Sequence, residues 1–288
     1  MFDCAICAGR TGREILRISQ PDRFERSIGI SPNGYLRRWI ECGTCGAATN
    51  ELPQASADKL SVLRGAYYEI DFANTNIGEK YSRVMALPES QSDNAGRVSR
   101  IFDFARKWFS PHTVPRVLDI GAGTGVFLSR LIDQAGGSWP CVGVEPDPQA
   151  AKHLRQLGKF VVMEGMFQGQ PDLKDFELIT LNKVLEHVSD PVPFLQMVVK
   201  SLRRDDSLIY VEVPDKLTVT LRPPSDNILG ALHCHLYDPQ SMVYLARAAG
   251  IEIVRIDRIR EPSGKLTVYA FGTVPGVLEA KGKLLEHA

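Results

Sequence analysis

The sequence predicts an α/β domain whose mostly parallel sheet is covered by helices on both faces, preceded by a small cysteine-containing module. Between residues 116 and 213, short apolar strand-like segments alternate with helix-like segments, as in βαβ units. Before them, two Cys-x-x-Cys pairs lie in a turn-rich stretch without long helical periodicity. Segments 251–257 and 266–271 are predicted to form an antiparallel pair of strands at the sheet edge.

The charge of the chain is balanced, with 34 lysines and arginines against 34 acidic residues. Its overall field therefore does not favour nucleic acid or an anionic membrane as a partner. The first residues, MFDCAICAGR, lack a basic-then-apolar leader, and no apolar stretch approaches the roughly 20 residues of a membrane helix. We expect a cytoplasmic protein without a membrane span. The residues do not indicate an oligomeric state.

Composition and turn residues predict four segments along the chain. The cysteine module covers residues 1–50, a helical connector or lid covers 51–112, the α/β domain covers 113–274, and a tail covers 275–288. Within the connector, apolar spacing predicts a helix over 95–109.

The first segment carries a predicted metal site. Cys4 and Cys7 form one Cys-x-x-Cys pair, and Cys42 and Cys45 form the other. In a reducing compartment such pairs favour a metal over disulfides, and four thiolates suit a structural zinc. A rubredoxin-like iron site uses the same four ligands and stays open at this point.

A glycine-rich turn marks the predicted cofactor site. Gly121, Gly123 and Gly125 follow the apolar strand 117–120 and precede a helix, so that backbone amides can approach a ligand there. A dinucleotide fingerprint requires glycine three places after Gly123, where this chain has Val126. The spacing therefore argues against NAD.

An acidic residue completes this site. Glu145 ends the next predicted strand, where a carboxylate can accept hydrogen bonds from both hydroxyls of an adenosine ribose. The glycine turn alone also fits a plain tight connection between strand and helix. The combination of the turn with Glu145 favours a nucleoside ligand.

These segments resemble the class I S-adenosylmethionine-dependent methyltransferases, which have a Rossmann-like fold. VLDIGAGTG resembles the first motif of that family, VGVEPD the second, and LNKVLEHVSDP the motif at the fourth strand. The resemblance implies S-adenosylmethionine as cofactor, with its amino-acid end at residues 121–125 and Asp119 near its amino group. It further implies that Asn182, Leu185 and Glu186 face the cofactor. Met166 or Phe167 would supply an apolar face for adenine, although both also suit ordinary core positions.

Three histidines are candidate bases for the methyl acceptor, because an unperturbed imidazole pKa suits proton transfer. His187 follows the fourth strand, and His233 and His235 lie in the loop before the helix at Asp238. HCHLYDPQSM resembles a segment of sugar-modifying methyltransferases, which implies that His235 and Tyr237 lie near the acceptor. We favour His235, since His187 can equally cap the next helix or pair with a carboxylate.

The cysteine module also resembles the N-terminal ribbon of methyltransferases that act on nucleotide-sugars, surface polysaccharides and natural products, where it helps to cover the acceptor pocket. WIECGTCGAATNELP carries this resemblance. Carbon methyltransferases of that group usually continue into a further domain, which does not follow Phe271 here. We therefore expect O-methylation of a sugar, nucleotide-sugar, surface glycan or natural product.

Two other functions fit the same features. An RNA methyltransferase, such as one acting on ribosomal RNA, could use the arginine-rich ribbon to bind its substrate, but acidic residues are interleaved with those arginines. A non-catalytic scaffold that binds the cofactor is the third reading. The intact Gly121, Gly123, Gly125 and Glu145 argue against it.

Overall fold

The computed structural model describes residues 2–63 and 76–286, whose strands form two sheets. In chain order the strands are β1 (Gly12–Ile18), β2 (Arg37–Cys42), β3 (Ala48–Glu51), β4 (Val117–Ile120), β5 (Cys141–Glu145), β6 (Val161–Glu164), β7 (Leu178–Asn182), β8 (Leu208–Pro214), β9 (His235–Leu236), β10 (Glu252–Arg260) and β11 (Leu266–Thr273).

Helices surround and connect these sheets. In chain order they are α1 (Arg23–Ser27), α2 (Gln54–Leu63), α3 (Ile77–Met85), α4 (Asp93–Trp108), α5 (Val126–Gln134), α6 (Pro148–Leu157), α7 (Pro191–Val199), α8 (Thr218–Leu221), α9 (Pro239–Ala249) and α10 (Val277–Glu286). Among the described residues, no helix is both long enough and apolar enough to cross a bilayer.

The larger sheet has the strand order β10-β11-β8-β7-β4-β5-β6. The run from β6 to β8 is parallel, whereas β11 is antiparallel to both β8 and β10. Every residue of β4 and β8 is buried, as expected for a sheet with helices on both faces. The predicted Rossmann-like fold, including its antiparallel pair at the edge, is confirmed.

Capping residues fix the ends of the helices that pack beside the parallel sheet. Asp147 accepts a hydrogen bond from the Ala150 amide at 2.8 Å, and Pro148 follows it as the first helical residue of α6. Asp238 caps α9 in the same way, and Gly250 ends that helix in the left-handed conformation. These caps fix where α6 begins after β5 and where α9 begins after β9.

The smaller sheet is antiparallel and has the order β1-β2-β3-β9. Its first three strands come from residues 2–51, called the ribbon below. Its fourth strand, β9, comes from residues 215–238 between β8 and α9, called the insert below. The fully buried Trp39 packs with Leu229 and Leu236 of the insert in one apolar cluster. The ribbon sheet is therefore completed by a distant part of the chain.

The segment boundaries expected at residues 50, 112 and 274 stay predictions. Helices α2 to α4 occupy the described parts of the expected connector, and residues 64–75 of that connector lie outside the described residues. Helix α4 buries Val98, Ile101 and Ala105 against the domain core. The helix expected over residues 95–109 is thus present, beginning two residues earlier.

Candidate functional site

The glycine turn lies between β4 and α5 at the carboxyl edge of the sheet. Gly121, Gly123 and Gly125 have φ angles of 81°, 55° and 78°. These positive values favour glycine, because the Cβ atom of any other residue would lie too close to the backbone. Space is also short, because a Cβ on Gly121 would approach Val184 Cγ2 to 2.7 Å. The turn therefore needs glycine for its conformation and for its close contact with the loop after β7.

Glu145 is fully buried at the end of β5 and holds the glycine turn. Its Oε2 accepts a hydrogen bond from the Gly123 amide at 2.7 Å, and its Oε1 accepts one from the Asp147 amide at 2.9 Å. Burial raises the pKa of Glu145 to about 7, against the effect of these two amides. The carboxylate is thus held in one orientation beside the turn.

Asp119 and Asn182 are brought together from neighbouring parallel strands. Asp119 Oδ1 accepts hydrogen bonds from Thr180 Oγ1 at 2.7 Å and Asn182 Nδ2 at 2.9 Å. Burial raises the pKa of Asp119 to about 7. The Asn182 side-chain oxygen is buried without a partner among the described residues, which leaves an acceptor beside the glycine turn.

The remaining predicted cofactor contacts differ from one another in accessibility. Met166 follows β6 and is 57% exposed, whereas Phe167 is 5% exposed and packs edge-on against Phe194. Leu185 is fully buried, and its carbonyl accepts a hydrogen bond from the Tyr237 hydroxyl. Of these side chains, only that of Met166 is open to a ligand. The side chains of Phe167 and Leu185 belong to the core.

Glu186, His187 and His233 form a second group of polar side chains, called the acceptor cluster below. One potential ligand atom from each lies within 4.8 Å of the others. The two imidazole rings meet edge to face, with centroids 4.6 Å apart. Burial raises the pKa of Glu186 to about 7 and lowers that of His233 to about 3. Glu186 and His187 follow Val184, the residue that contacts the glycine turn.

His235 does not join this cluster. It lies in β9, is 2% exposed, and pairs with Thr49 of β3. Its Nε2 lies 2.9 Å from the Ser189 carbonyl oxygen, and its Nδ1 lies 3.4 Å from Thr49 Oγ1. Since both ring nitrogens contact the protein and the ring is buried, this arrangement indicates a structural role. The assignment of His235 as the base stays a prediction, and this position favours it less than His187 and His233.

The ribbon holds the insert in place, which was not predicted. Asn50 Nδ2 donates to the carbonyl oxygens of Gly230 at 3.1 Å and His233 at 2.8 Å. The buried Arg37 donates to the Leu229 carbonyl at 3.0 Å and forms ion pairs with Asp22 and Glu25. No local sequence signal marks the contacts with the insert, because their partners lie 180 to 192 residues apart.

Lys183 is another residue that sequence reasoning missed. Its φ of 61° is in the left-handed region, and such strained non-glycine residues cluster at functional sites. Its Nζ donates to Thr267 Oγ1 at 2.7 Å and lies 3.5 Å from Glu212 Oε1. Glu212 also pairs with Arg97 and Arg100 of α4. This buried charge network links α4, β8 and the loop that carries the acceptor cluster.

The four predicted metal ligands converge in the ribbon. Cys4 Sγ and Cys45 Sγ are 3.6 Å apart, and Cys7 Sγ and Cys42 Sγ are 3.5 Å apart. A disulfide would need about 2.05 Å, whereas a tetrahedral zinc with Zn–S bonds of about 2.3 Å implies sulfur separations of about 3.8 Å. The thiol positions therefore fit a four-thiolate metal centre.

Comparison with known proteins agrees with this geometry. A family described as a methyltransferase domain matches residues 78–256, which is more than half of the chain. A curated relative is the ubiquinone biosynthesis O-methyltransferase of Actinobacillus pleuropneumoniae serotype 7 (strain AP76), 30% identical over 104 residues. That match covers 33% of this chain, and the chain spans only 44% of that relative's length.

Solved structures share the fold. A possible histamine N-methyltransferase from Thermotoga maritima superposes with a TM-score of 0.51 and 21% identity, covering 73% of this chain and 99% of that one. A putative sarcosine dimethylglycine methyltransferase from Galdieria sulphuraria gives a TM-score of 0.50 and 14% identity, covering 62% and 85%. The family match, together with the glycine turn and Glu145, shows that the chain belongs to the methyltransferase-domain family and contains a class I S-adenosylmethionine-dependent methyltransferase domain.

Proposed function

We propose that this protein transfers the methyl group of S-adenosylmethionine to a hydroxyl of a small molecule. The observation that carries the proposal is the position of the acceptor cluster. Glu186 and His187 lie two and three residues after Val184, which touches the cofactor turn at Gly121, and His233 of the insert packs against His187. A substrate hydroxyl placed among these groups would thus lie beside the cofactor pocket.

The cofactor side of the site is assigned from polar groups of known position. Glu145 would receive the two ribose hydroxyls, for which a fixed, buried carboxylate is suited. Asp119 and the unpartnered oxygen of Asn182 would bind the ammonium group. The exposed Met166 would lie against the adenine ring.

When bound, S-adenosylmethionine supplies a methyl group already activated by its sulfonium. The acceptor oxygen forms the new bond to the methyl carbon while the carbon–sulfur bond breaks, and the electron pair stays on sulfur. The protein has to align the methyl group with the acceptor oxygen and to help the acceptor hydroxyl lose its proton. The acceptor cluster would promote this deprotonation, and the proton would leave to solvent.

The acceptor class is a hydroxyl-bearing small molecule such as a sugar, a nucleotide-sugar, a surface glycan or a natural product. The curated relative is named as an O-methyltransferase, which supports methylation at oxygen. The insert supplies His233, and Asn50 of the ribbon donates a hydrogen bond to the His233 carbonyl oxygen, so both segments would border the acceptor. The ribbon metal would be a structural zinc, since four thiolates leave no open position for a substrate.

The RNA alternative is less well supported by the ribbon. An RNA-binding surface needs arginines free to reach phosphates. Here Arg13 pairs with Glu41, Arg17 with Glu14, and Arg38 with Glu51. Partnered in this way, these side chains offer little net positive charge to a polyanion.

A screen of sugars, nucleotide-sugars, glycans and phenolic natural products, scored by release of S-adenosylhomocysteine, tests the proposal. We expect His187→Ala to lower turnover by about 100-fold or more on any accepted substrate, because acid–base or comparable activation contributes about 10²–10⁴-fold. His112→Ala, an exposed histidine outside the site, is the matched control. Full turnover by His187→Ala, or turnover only on RNA, would contradict the proposal.

A further inference from the structure

We propose that strand β10 is a dimer interface, at which two copies of this chain pair their β10 strands antiparallel into one continuous sheet. Strand β10 (Glu252–Arg260) ends the larger sheet, since its strand neighbour among the described residues is β11 on one side. Its outer row of backbone N–H and C=O groups therefore has no strand partner in the described part of the chain. Such a row is a template on which a further strand can pair.

The two edges of the larger sheet differ in length. Strand β6, at the opposite edge, has four residues, and short strands are one way in which proteins protect a sheet edge from pairing. Strand β10 has nine residues. Of the two edges, β10 therefore offers a partner strand the longer run of backbone hydrogen bonds.

The charges of β10 identify the partner as a second copy of the same strand. In an antiparallel pair centred on Ile256, Arg255 of each copy lies opposite Asp257 of the other, which gives two reciprocal ion pairs. Opposite charges on directly facing residues stabilise antiparallel strands. Both side chains are accessible, with exposed fractions of 56% and 41%. The β-bulge of β10 between Ile253 and Arg255 lies at the start of this central stretch and leaves its alternation intact.

The ends of β10 follow the same symmetry. Glu252 begins the strand and Arg260 ends it, and neither has an ion-pair partner in the described parts of the chain. In the antiparallel pair these two residues come opposite each other, with side chains long enough to meet across the bulge. The remaining arginine, Arg258, already pairs with Asp215 of its own chain. A strand with charges of one sign would repel its copy, whereas this strand presents each acid to an arginine.

Helix α9 adds exposed apolar surface beside this edge. It packs on β10 through the apolar cluster that contains Met242 and contacts Ile256. Two antiparallel strands are related by a twofold axis perpendicular to the sheet, so both copies of α9 lie on the same face. Val243 and Tyr244 of α9 are exposed. Their burial beside the second copy would add apolar contact area to the hydrogen bonds between the strands.

The test is the mass of the full chain in solution, measured by sedimentation velocity at micromolar concentration, where we expect a dimer. Arg255→Asp makes both reciprocal contacts acid against acid, and Asp257→Arg makes both arginine against arginine. Each variant should raise the dimer dissociation constant about tenfold or more, because two ion pairs become repulsive. An equimolar mixture of the two variants should recover the dimer, because the acids of one variant then face the arginines of the other.

Arg155→Asp is the matched control, because Arg155 is a half-exposed arginine that pairs with Glu164 at the opposite edge of the sheet. It should leave the dimer intact. On the wild type, hydrogen exchange followed by mass spectrometry should show slower exchange of the β10 amides as the protein concentration rises. This measurement does not depend on the folding of any variant.

Three results would each overturn the interface. They are a wild type that stays monomeric, β10 amides whose exchange does not change with concentration, and a dimer that Arg155→Asp weakens as much as Arg255→Asp does. None of these measurements uses methyl transfer, so the dimer interface is tested separately from the proposed function.

Discussion

The proposed cofactor side and the proposed acceptor side of this site are built in opposite ways. Asp119, the glycine turn and Glu145 lie within 30 residues of one another on two adjacent strands and their loops. The acceptor cluster instead takes Glu186 and His187 from one loop and His233 from the insert, and Asn50 of the ribbon holds the insert. One side depends on local backbone geometry, and the other depends on contacts between distant segments.

This difference predicts that the two sides can be damaged separately. The strongest test is Cys45→Ser, which removes one thiolate of the ribbon site. A structural zinc contributes about 10–16 kcal/mol to small modules, so its loss should unfold the ribbon and release the insert. We expect methyl transfer to fall more than 1000-fold while cofactor affinity, measured by calorimetry, changes less than threefold. Equal loss of both would show that the two sides are not separable.

The opposite test damages the cofactor side. Glu145→Gln should weaken S-adenosylhomocysteine binding by about 100-fold, because charge-assisted hydrogen bonds contribute about 1.5–3 kcal/mol each. Glu164, which is opposite Glu145 in the register of β5 and β6 and is exposed, provides the control Glu164→Gln. Calorimetric affinities that are alike for the two variants would refute the ribose assignment.

A milder test addresses the link between ribbon and insert. Asn50→Ala removes two hydrogen bonds to carbonyl oxygens of the insert. Each is expected to contribute about 1 kcal/mol, so turnover should fall about 30-fold with little change in cofactor affinity. Gln54→Ala, an exposed position whose side chain bonds Asp58, serves as the comparison. Steady-state kinetics that show unchanged turnover would mean that Asn50 does not position His233.

The smallest expected effect is a pH dependence of the cofactor side. Burial raises the pKa of both Asp119 and Glu145 to about 7. The ionised carboxylates are the forms that bind an ammonium and two hydroxyls, so lowering the pH through 7 should protonate them and weaken binding. Calorimetry should show S-adenosylhomocysteine binding weaker at pH 6 than at pH 8 by about tenfold for each carboxylate that has to be ionised, with proton release on binding near pH 7. A flat profile would contradict these assignments.

The same contrast explains which parts of the structure could be predicted from sequence. The glycine turn, Glu145 and the caps at Asp147 and Asp238 follow from residue types at fixed short spacings, and the structure contains each of them. The position of His235 could not be predicted in this way. Whether that ring faces a substrate or fills a sheet depends on its pairing with Thr49, which lies 186 residues earlier.

Local sequence patterns also do not predict how exposed an individual side chain is. Met166 and Phe167 are adjacent and both apolar, yet one is exposed and the other lies in the core. The direction of each side chain is set by the chain path after β6, which no periodicity specifies. Lys183 shows the same limit, because its contact with Thr267 depends on strand β11, which lies 84 residues later in the chain.

Strand β9 has a consequence for how such enzymes can be recombined. The ribbon sheet runs through β9, so residues 2–51 and 215–238 share one hydrogen-bonded surface. A chimera that exchanged the first fifty residues alone would leave β3 without its matched neighbour and His233 without Asn50. Exchanging both segments together would transfer the ribbon, the insert and His233 as one unit and leave the rest of the α/β domain unchanged. Under the proposed function, substrate preference would then depend jointly on two segments that are far apart in the sequence.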